Sequence, residues 1–371
     1  MTKQFTSLGF MSGTSGDGVD ASMIRSNGVD QYEVIKEAFF EYDLETFKEI
    51  HSLKDKIILK DDLKKFKREI IDLEKKITLF HAKIFKELCY ENKIDIIGFH
   101  GQTIYHNPSE KISKQLGDGH LLSQLTKSDI VCNFRDNDLK NGGEGAPLTP
   151  IFHQLIVSHQ KFKFPVGVLN IGGISNITII NAPTGINDFI SRDIGPGNCL
   201  IDTWIRKNSN DKFDKDGLYA SSGRINEIII EQAQELFSNK FKENTQSFDV
   251  SDFDVSFARG LSLEDGSATI TEFTANIISS SIITYSNKNK PLKVLLCGGG
   301  RKNKFLIERI KKKISKNLIL EEIDNYGING DFVESQAFGF LAIRSILNLP
   351  NSFPKTTKCI SETIGGEIIR Y

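Results

Sequence analysis

Two distant stretches of this sequence share one layout, and this repeat constrains the fold more than any other feature. Residues 9–24 read GFMSGTSGDGVDASMI, and residues 164–181 read FPVGVLNIGGISNITIIN. Each stretch places an apolar strand, a turn of small residues and a strand of alternating polarity in succession, which is typical of a hairpin. A chain of 371 residues also exceeds what one hydrophobic core usually supports. The sequence therefore predicts two domains with related plans, with three domains as the alternative.

Strands that lead into helices fill the rest of both halves. IDIIGF, DIVCNF, KVLLCGGG and LILEEI predict strands, and helical patterns follow most of them. With hairpins at the start of each half, this order predicts an α/β chain with mixed sheets. The glycine-rich loop NGGEGAP marks the boundary region. We expect a first lobe at residues 1–135, to which residues 346–371 return, and a second lobe at residues 136–345.

One long amphipathic helix is predicted to begin at Leu63. Its apolar residues recur at steps of three and four, with charged residues between them. They are Leu63, Phe66, Ile70, Leu73, Ile77, Phe80 and Ile84. This seam indicates either a helix packed on a sheet, which is the commoner case, or a coiled-coil contact.

The composition narrows the classes of partner. The chain has 47 basic and 48 acidic residues, a balance that does not favour a polyanion such as nucleic acid. Its five cysteines form no C-x-x-C pair, and its seven histidines show no metal-ligand spacing. Neither a signal peptide nor a membrane-spanning apolar run is evident. We therefore expect a cytoplasmic protein with a small-molecule ligand, without zinc, and without a nucleic-acid or membrane partner.

Four glycine-bearing turns follow apolar strands: MSGTSGDG, NIGGISN, DIGPGN and CGGG. Consecutive backbone amides and Ser or Thr hydroxyls in such turns can bind anions. One turn alone is more often only a turn, but the clefts of α/β folds form at the carboxyl ends of strands. We predict that the four turns converge on one nucleotide. The chain lacks a P-loop, a protein-kinase motif set and G-x-G-x-x-G, so the prediction is a two-lobed ATP-binding fold with hairpin phosphate loops.

The first turn carries two carboxylates, Asp17 and Asp20. Thr14, Ser15 and nearby amides can receive phosphate oxygens, and Asp17 can hold Mg²⁺ beside those phosphates, directly or through water. The alternative is that both aspartates cap the turn through local hydrogen bonds, as Asp often does.

Several motifs resemble one family along nearly the entire chain. They are GFMSGTSGDGVD, IGFHGQTIYH, NFRDNDLKNGGEGAPLTP, VLNIGGISN, RDIGPGNCLIDTW, DKDG, CGGGRKN and GDFVESQAFGFLA, in the order and spacing of anhydro-N-acetylmuramic acid kinases. The resemblance implies the fold of the actin, sugar kinase and Hsp70 superfamily. In that fold each of two lobes is a mixed β-sheet with flanking helices, and ATP binds in the cleft between them.

The resemblance also implies an activity. Members of this family are cytoplasmic phosphotransferases of peptidoglycan recycling, usually homodimers. They use ATP and Mg²⁺ to hydrolyse the 1,6-anhydro bond of 1,6-anhydro-N-acetylmuramic acid and to phosphorylate O6, which yields N-acetylmuramic acid 6-phosphate and ADP. The ATP-binding residues implied by the motifs are Gly13, Thr14, Ser15, Gly16, Asp17, Gly18, Val19, Asp20, Asn170, Gly172, Gly173, Asn176, Gly195, Gly197, Asn198, Gly298, Gly299 and Gly300.

Asp193, at the head of DIGPGN, matches the catalytic base of the family. The chemistry needs a carboxylate within hydrogen-bond reach of the water that attacks the anomeric carbon. The alternative is a turn residue bonded to nearby amides.

By resemblance, the sugar-binding residues are His100, Gln102, Thr103, Arg135 and Glu334. Arg135 suits the lactyl carboxylate but could equally pair with Asp136 or Asp138. A strand-end histidine can be structural, and a first-turn glutamate such as Glu334 is favoured by the helix dipole. Two other functions stay open on the residues alone: a kinase for another sugar, and a non-catalytic ATP-driven switch of the same fold.

Overall fold

The chain folds into two compact units. A computed structural model describes residues 3–89, 93–185, 188–242, 247–286 and 290–371. The first unit comprises the chain up to His159 together with Phe332–Tyr371, and the second unit is Gln160–Asp331. Each unit has its own sheet and its own flanking helices, so the predicted α/β class with mixed sheets is confirmed.

The first unit is built on a seven-stranded sheet. Its strands are β1 Phe5–Ser12, β2 Gly18–Ser26, β3 Tyr32–Glu41, β4 Ile96–Asn107, β5 Ile112–Leu116, β6 Ile130–Cys132 and β12 Glu367–Ile369. Their order is β12-β6-β4-β1-β2-β3, with β5 paired to β4. β1 runs antiparallel to β2 and parallel to β4, and β4 runs parallel to β6. The helices are α1 Leu44–Lys56, α2 Asp62–Lys65, α3 Lys67–Leu88, α4 Gly119–Thr126, α5 Asp136–Lys140, α6 Pro150–Ser158, α12 Val333–Ile346 and α13 Pro354–Thr357.

The second unit repeats the plan with five strands. They are β7 Val166–Ile171, β8 Ile174–Ile180, β9 Phe189–Pro196, β10 Leu292–Cys297 and β11 Leu318–Glu322, in the order β11-β10-β7-β8-β9. β7 runs antiparallel to β8 and parallel to β10, as β1 does to β2 and β4. The helices are α7 Cys199–Asn208, α8 Leu218–Ser222, α9 Glu227–Lys242, α10 Leu263–Ile283 and α11 Lys304–Lys313. The 3₁₀ turns are Lys215–Gly217, Val250–Asp252, Ser256–Ala258, Gly299–Lys302 and Ile323–Tyr326.

The compact units differ from the predicted lobes at both edges, because residues 136–159 and α12 pack in the first unit. Phe152 of α6 contacts Phe340 of α12, with ring centroids 5.6 Å apart. The loop NGGEGAP is also fastened there, since Glu144 N–H donates to Thr357 O at 2.7 Å. β12 pairs with β6, which places the C-terminal strand in the first sheet.

The predicted long helix is interrupted once. Phe66, with φ −99° and ψ 21°, separates α2 from α3. The apolar seam of α3 packs on the sheet of the first unit, where the His81 ring meets Phe10 of β1 edge-on at 5.0 Å. The helix-on-sheet interpretation therefore holds. None of the helices within the described ranges is long and apolar enough to cross a membrane.

Two glycines let α12 approach the sheet of the first unit. A Cβ on Gly9 of β1 would lie 2.0 Å from the carbonyl oxygen of Ser335, and one on Gly98 of β4 would lie 2.2 Å from that of Phe338. Both obstacles are helix backbone, which has no rotamer to change. Any side chain at these positions would force α12 away from the sheet.

We expect Gly9→Ala to lower the free energy of unfolding by roughly 3 kcal/mol through this overpacking. Urea unfolding of the purified protein measures the loss. Gly299→Ala is the control, because nothing lies within 4 Å of a Cβ there. Equal stability of the two variants would contradict the close approach of α12.

Four histidines in the first unit are buried with lowered pKa values. Burial, which disfavours the imidazolium, is the largest cause for each of His81, His100, His106 and His153. The pKa of His81 falls from its usual 6.5 to about 4. In the unfolded chain the same ring takes up its proton near 6.5, so unfolding becomes more favourable as the pH falls from about 6.5 towards about 4.

We expect His81→Phe to reduce the slope of unfolding free energy against pH between 6 and 4.5 by up to one proton, about 1.4 kcal/mol per pH unit. Urea unfolding at a series of pH values gives the slope. His120→Gln, an exposed position on α4, serves as the control. An unchanged slope in His81→Phe would contradict the assignment.

Candidate functional site

The first predicted phosphate turn joins β1 to β2 in the first unit. Gly16 N–H donates to Gly13 O at 3.1 Å and closes the turn. Gly16 has φ +62°, a left-handed conformation that L side chains rarely adopt. The glycine at this position therefore permits the tight turn that the sequence predicts.

Donors from other elements of the unit occupy the carbonyl oxygens of this turn. The contacts are Gly13 O with Gln102 Nε2 at 2.9 Å, Thr14 O with Lys54 Nζ at 2.8 Å, Ser15 O with His51 Nε2 at 2.8 Å, and Asp17 O with Tyr42 N at 2.9 Å. A carbonyl oxygen repels an anion, whereas a backbone N–H attracts one. With these four oxygens bound from outside the turn, it can offer a phosphate its backbone amides other than that of Gly16, which closes the turn.

Asp17 lies partly buried within this turn, and Ser15 Oγ donates to its Oδ1 at 2.6 Å. A hydroxyl has one proton, so in this arrangement Ser15 does not donate to a phosphate. Asp17 therefore makes a local hydrogen bond, as the alternative expects, but its donor is the Ser15 hydroxyl. Asp20 lies in β2, opposite Met11 of β1 and Phe39 of β3.

A β-bulge within β4 aims the next predicted residues, and His100 lies inside this strand instead of at its end as expected. Phe10 pairs with Phe99, but Ser12 pairs with Gln102, so β4 carries one extra residue at His100–Gly101. Gly101 has φ +75°. Bulges redirect side chains near the ends of strands. Here the bulge puts Gln102 in register with the first turn, to which its amide donates.

His100 and Arg135 are neighbours in the first unit. His100 Nδ1 donates to Gly101 O at 2.8 Å, so its Nε2 accepts from the Arg135 guanidinium at 2.9 Å. Burial, and then the charge of Arg135, hold the pKa of His100 well below its usual 6.5. Arg135 also donates to Gly145 O at 2.7 Å. The ring is therefore neutral, and Arg135 keeps its full charge beside it.

The remaining predicted sugar residues lie on the same unit. Thr103 Oγ1 accepts from Gln115 Nε2 at 3.2 Å, across the β4–β5 pair. Glu334 lies in the first turn of α12, where the helix dipole favours an acidic residue. All five predicted sugar-binding residues therefore lie in the first unit. Three are in β4, Arg135 directly precedes α5, and Glu334 is in α12.

In the second unit, the turns NIGGISN and DIGPGN are bound to each other. Gly197 N–H donates to Gly173 O and Asn198 N–H donates to Gly172 O, each at 2.8 Å. A Cβ on Gly197 would lie 2.2 Å from the carbonyl oxygen of Gly172. Glycine is therefore required where the turns touch, and the carbonyls of the hairpin turn are again occupied by donors.

The third glycine turn of this unit, CGGG, packs against the end of β7. A Cβ on Gly298 would lie 2.2 Å from Asn170 Oδ1, and one on Gly300 would lie 2.3 Å from Ile171 Cγ2. Three of the four predicted turns thus converge at the end of one strand.

Arg301 fastens the CGGG turn to the end of the second unit. Its buried guanidinium donates to Gly298 O at 3.0 Å, to Asp331 Oδ1 at 2.5 Å and to both carboxylate oxygens of Asp324, at 2.8 and 2.9 Å. Gly298 N–H completes the cluster by donating to Gly330 O at 2.9 Å. We refer to Arg301, Asp324 and Asp331 as the Arg301 clamp.

Asp193 is a buried carboxylate near the end of β9. Asn176 pairs with Asp193 but Ser175 pairs with Gly195, so Ile194 is the extra residue of a second bulge. Asp193 Oδ2 accepts from Phe248 N–H at 2.9 Å. This hydrogen bond comes from the backbone amide of a residue 55 positions away and not from the turn itself, and the bulge sets the direction of the carboxylate.

Sequence reasoning missed Lys54, His51, Arg301 and Phe248. A signal existed for two of them, because residues 51 and 54 are three apart and so lie on one face of α1. For Arg301 and Phe248 the partners are distant in sequence, and no local pattern marks them.

The geometry defines a class: an α/β protein with two mixed sheets that presents glycine turns whose carbonyl oxygens accept hydrogen bonds. The model of the anhydro-N-acetylmuramic acid kinase family matches residues 5–370. The chain belongs to this family.

Curated relatives support the assignment. An anhydro-N-acetylmuramic acid kinase of Pelagibacter ubique (strain HTCC1062) is 50% identical, with 100% of both chains covered. One of Zymomonas mobilis subsp. mobilis is 36% identical, covering 97% of this chain and 98% of its own. One solved structure, a hexokinase from Schistosoma mansoni complexed with glucose, covers 91% of this chain and 85% of its own, with 10% identity and a TM-score of 0.39.

We expect Lys54→Met to weaken binding of a non-hydrolysable ATP analogue by about 10-fold, which corresponds to about 1.4 kcal/mol. The variant loses the ammonium that holds Thr14 O, so the carbonyl is free to turn towards the phosphates. Isothermal titration measures the affinity. Lys56→Met is the matched control, because Lys56 lies on the same helix but pairs with Glu69. Wild-type affinity in Lys54→Met would contradict the role of α1.

Proposed function

We propose that this protein is an ATP- and Mg²⁺-dependent kinase that hydrolyses the 1,6-anhydro bond of 1,6-anhydro-N-acetylmuramic acid and phosphorylates O6. The products are N-acetylmuramic acid 6-phosphate and ADP. Family membership supports the reaction, and the observation that carries it is Asp193, a buried carboxylate at a bulge beside three glycine turns. A kinase for another sugar or a non-catalytic switch is not favoured, because the relatives are named as this kinase.

Asp193 is the general base in this proposal. The oxygen of a water forms a bond to the anomeric carbon C1, and one proton of that water passes to the carboxylate. The C1–O6 bond breaks, and O6 takes the γ-phosphoryl group as the bond to ADP breaks. No separate acid is needed, because the phosphoryl group captures O6 as it leaves.

The glycine turns hold the nucleotide. Gly13 to Asp20 and the bonded turns of the second unit would bind phosphates through backbone amides, and Gly298 to Gly300 would approach the adenosine. Among the residues that the structure describes, no three His, Cys, Asp or Glu side chains are grouped to hold a metal ion. Mg²⁺ commonly uses one carboxylate together with phosphates and water, so Asp17 alone fits it. When bound, the ion would neutralise phosphate charge.

Arg135 would bind the lactyl carboxylate of the sugar. Its charge lies beside a neutral histidine, His100, and a carbonyl oxygen, and both of these accept from it. Gln102, Thr103 and Glu334 would contact the sugar hydroxyls or the N-acetyl group. The proposal also includes a homodimer in the cytoplasm, as the family resemblance implies, and sedimentation velocity tests the dimer.

Mass spectrometry of the product formed in ¹⁸O-labelled water tests the reaction. We expect ¹⁸O at C1 and phosphate on O6. ATP consumed with the sugar intact, or phosphorylation without label at C1, would overturn the proposal.

We expect Asp193→Asn to fold and to bind ATP but to lose at least about 10²-fold in kcat, in the range of a lost general base. The amide oxygen can still accept from Phe248 N–H, so the local structure is kept. Asp254→Asn, at an exposed position of the same unit, should retain wild-type kcat. Near-wild-type turnover in Asp193→Asn would remove this residue from the mechanism.

A further inference from the structure

Three polar residues form a row across the sheet of the second unit. Asn170 of β7 pairs with Asn176 of β8, and Asn176 pairs with Asp193 of β9. Residues directly opposite on antiparallel strands project from the same face, with Cβ atoms about 4.5–5.5 Å apart. The side chains of Asn176 and Asp193 are therefore neighbours on one face of the sheet.

Asn176 carries an acceptor that needs an explanation. The residue is 9% exposed. Its Oδ1 is buried and has no hydrogen-bond partner among the described residues. An unsatisfied buried polar atom costs about 1–3 kcal/mol, and most such atoms in proteins are bound to protein or to ordered water. This acceptor therefore indicates a ligand that the protein chain does not supply.

The neighbour of this acceptor narrows the chemistry of the ligand. Asp193 is a carboxylate, which accepts but does not donate, and it can accept about four hydrogen bonds when ionised. The bond from Phe248 N–H uses one of these positions and holds the carboxylate in place. Two neighbouring hydrogen-bond acceptors require a ligand that can donate two hydrogen bonds. Water fits when the two oxygens lie roughly 4.5 Å apart, as two hydrogen bonds of about 2.8 Å require.

We propose that Asn176 Oδ1 and the Asp193 carboxylate together hold the water that attacks the anomeric carbon. This inference rests on the proposed function, and it gives Asn176 a catalytic role in place of the nucleotide contact expected from the sequence. One proton of the water passes to Asp193 as its oxygen bonds to C1, and the electron pair of the broken C1–O6 bond leaves with O6. The second proton stays on the new C1 hydroxyl, bonded to Asn176.

An amide suits this second position better than a carboxylate. It accepts a hydrogen bond without competing for the proton, so deprotonation is directed to Asp193. It also adds no negative charge, which would raise the pKa of the neighbouring carboxyl. With both protons of the water engaged, a lone pair of its oxygen is aimed at the sugar.

The test begins with the kinetics of Asn176→Ala and Asn176→Ser. We expect kcat to fall about 10- to 100-fold in Asn176→Ala, with less loss in Asn176→Ser, whose hydroxyl keeps an acceptor. The KM for ATP, the affinity for a non-hydrolysable ATP analogue and the Mg²⁺ activation constant should stay within about twofold of wild type. Thr178→Val is the control, because Thr178 lies two residues along β8 on the same face and pairs with Ser191. Its kcat should not change.

A pH profile tests whether the side chains at positions 176 and 193 face each other, as the water site requires. In Asn176→Asp, two carboxylates would face each other, and the apparent pKa of the pair would rise. We expect the acid limb of the kcat profile to move to higher pH in this variant. An acid limb that stays in place would mean that the two side chains do not face each other, and would contradict the water site.

Three further results would overturn the inference. A KM for ATP raised at least 10-fold at unchanged kcat would return Asn176 to the nucleotide site. A raised Mg²⁺ activation constant would mean that the two acceptors hold a cation. Wild-type kinetics in all Asn176 variants would remove the residue from the reaction. The ¹⁸O experiment on the wild-type enzyme decides the proposed function separately, so labelled product with unaffected Asn176 variants would reject the water site alone.

Discussion

A turn can attract an anion only if its carbonyl oxygens are kept away from that anion, and the candidate site depends on this constraint. In residues 13–17, donors from α1, β4 and the residue after β3 bind the carbonyls from outside the turn. In the second unit the amides of residues 197–199 do the same for Gly172 and Gly173. The carbonyl oxygens are thus bound by different groups in the two units: three side chains and one backbone amide in the first, and backbone amides in the second.

The shared plan of the two sheets explains why the turns lie where they do. In each unit the first strand pairs antiparallel with its hairpin partner and parallel with a later strand. These strands are β1 with β2 and β4 in the first unit, and β7 with β8 and β10 in the second. The carboxyl ends of the parallel strands are therefore at one edge of each sheet, which is where α/β proteins bind ligands. The glycine turn after β1 and those after β7 and β10 occupy this edge.

Much of this arrangement could be predicted from the sequence, because apolar strands and glycine turns are local signals. The strands around residues 9–24 and 164–181, and the amphipathic helix near residue 63, follow from periodicity. The packing of α12 on β1 could not be predicted, since it depends on Gly9 meeting Ser335, more than 300 residues away. The bulges that aim Gln102 and Asp193 were also missed. A bulge depends on how two strands pair, so the sequence of one strand does not predict it. The one local signal is a glycine such as Gly101 or Gly195. Asp193 itself was found only through the motif that surrounds it.

The Arg301 clamp has a mechanical consequence. Asp331 is the last residue of the second unit, and Phe332 begins the return to the first, one residue before α12 starts. Arg301 therefore ties a glycine turn of the candidate nucleotide site to the point where the chain leaves its unit. Within the second unit, the guanidinium and the Gly298–Gly330 hydrogen bond hold residues 330–331 and the glycine turn together. The clamp thus makes the last residues of the second unit and the loop of a candidate binding site one connected structural element.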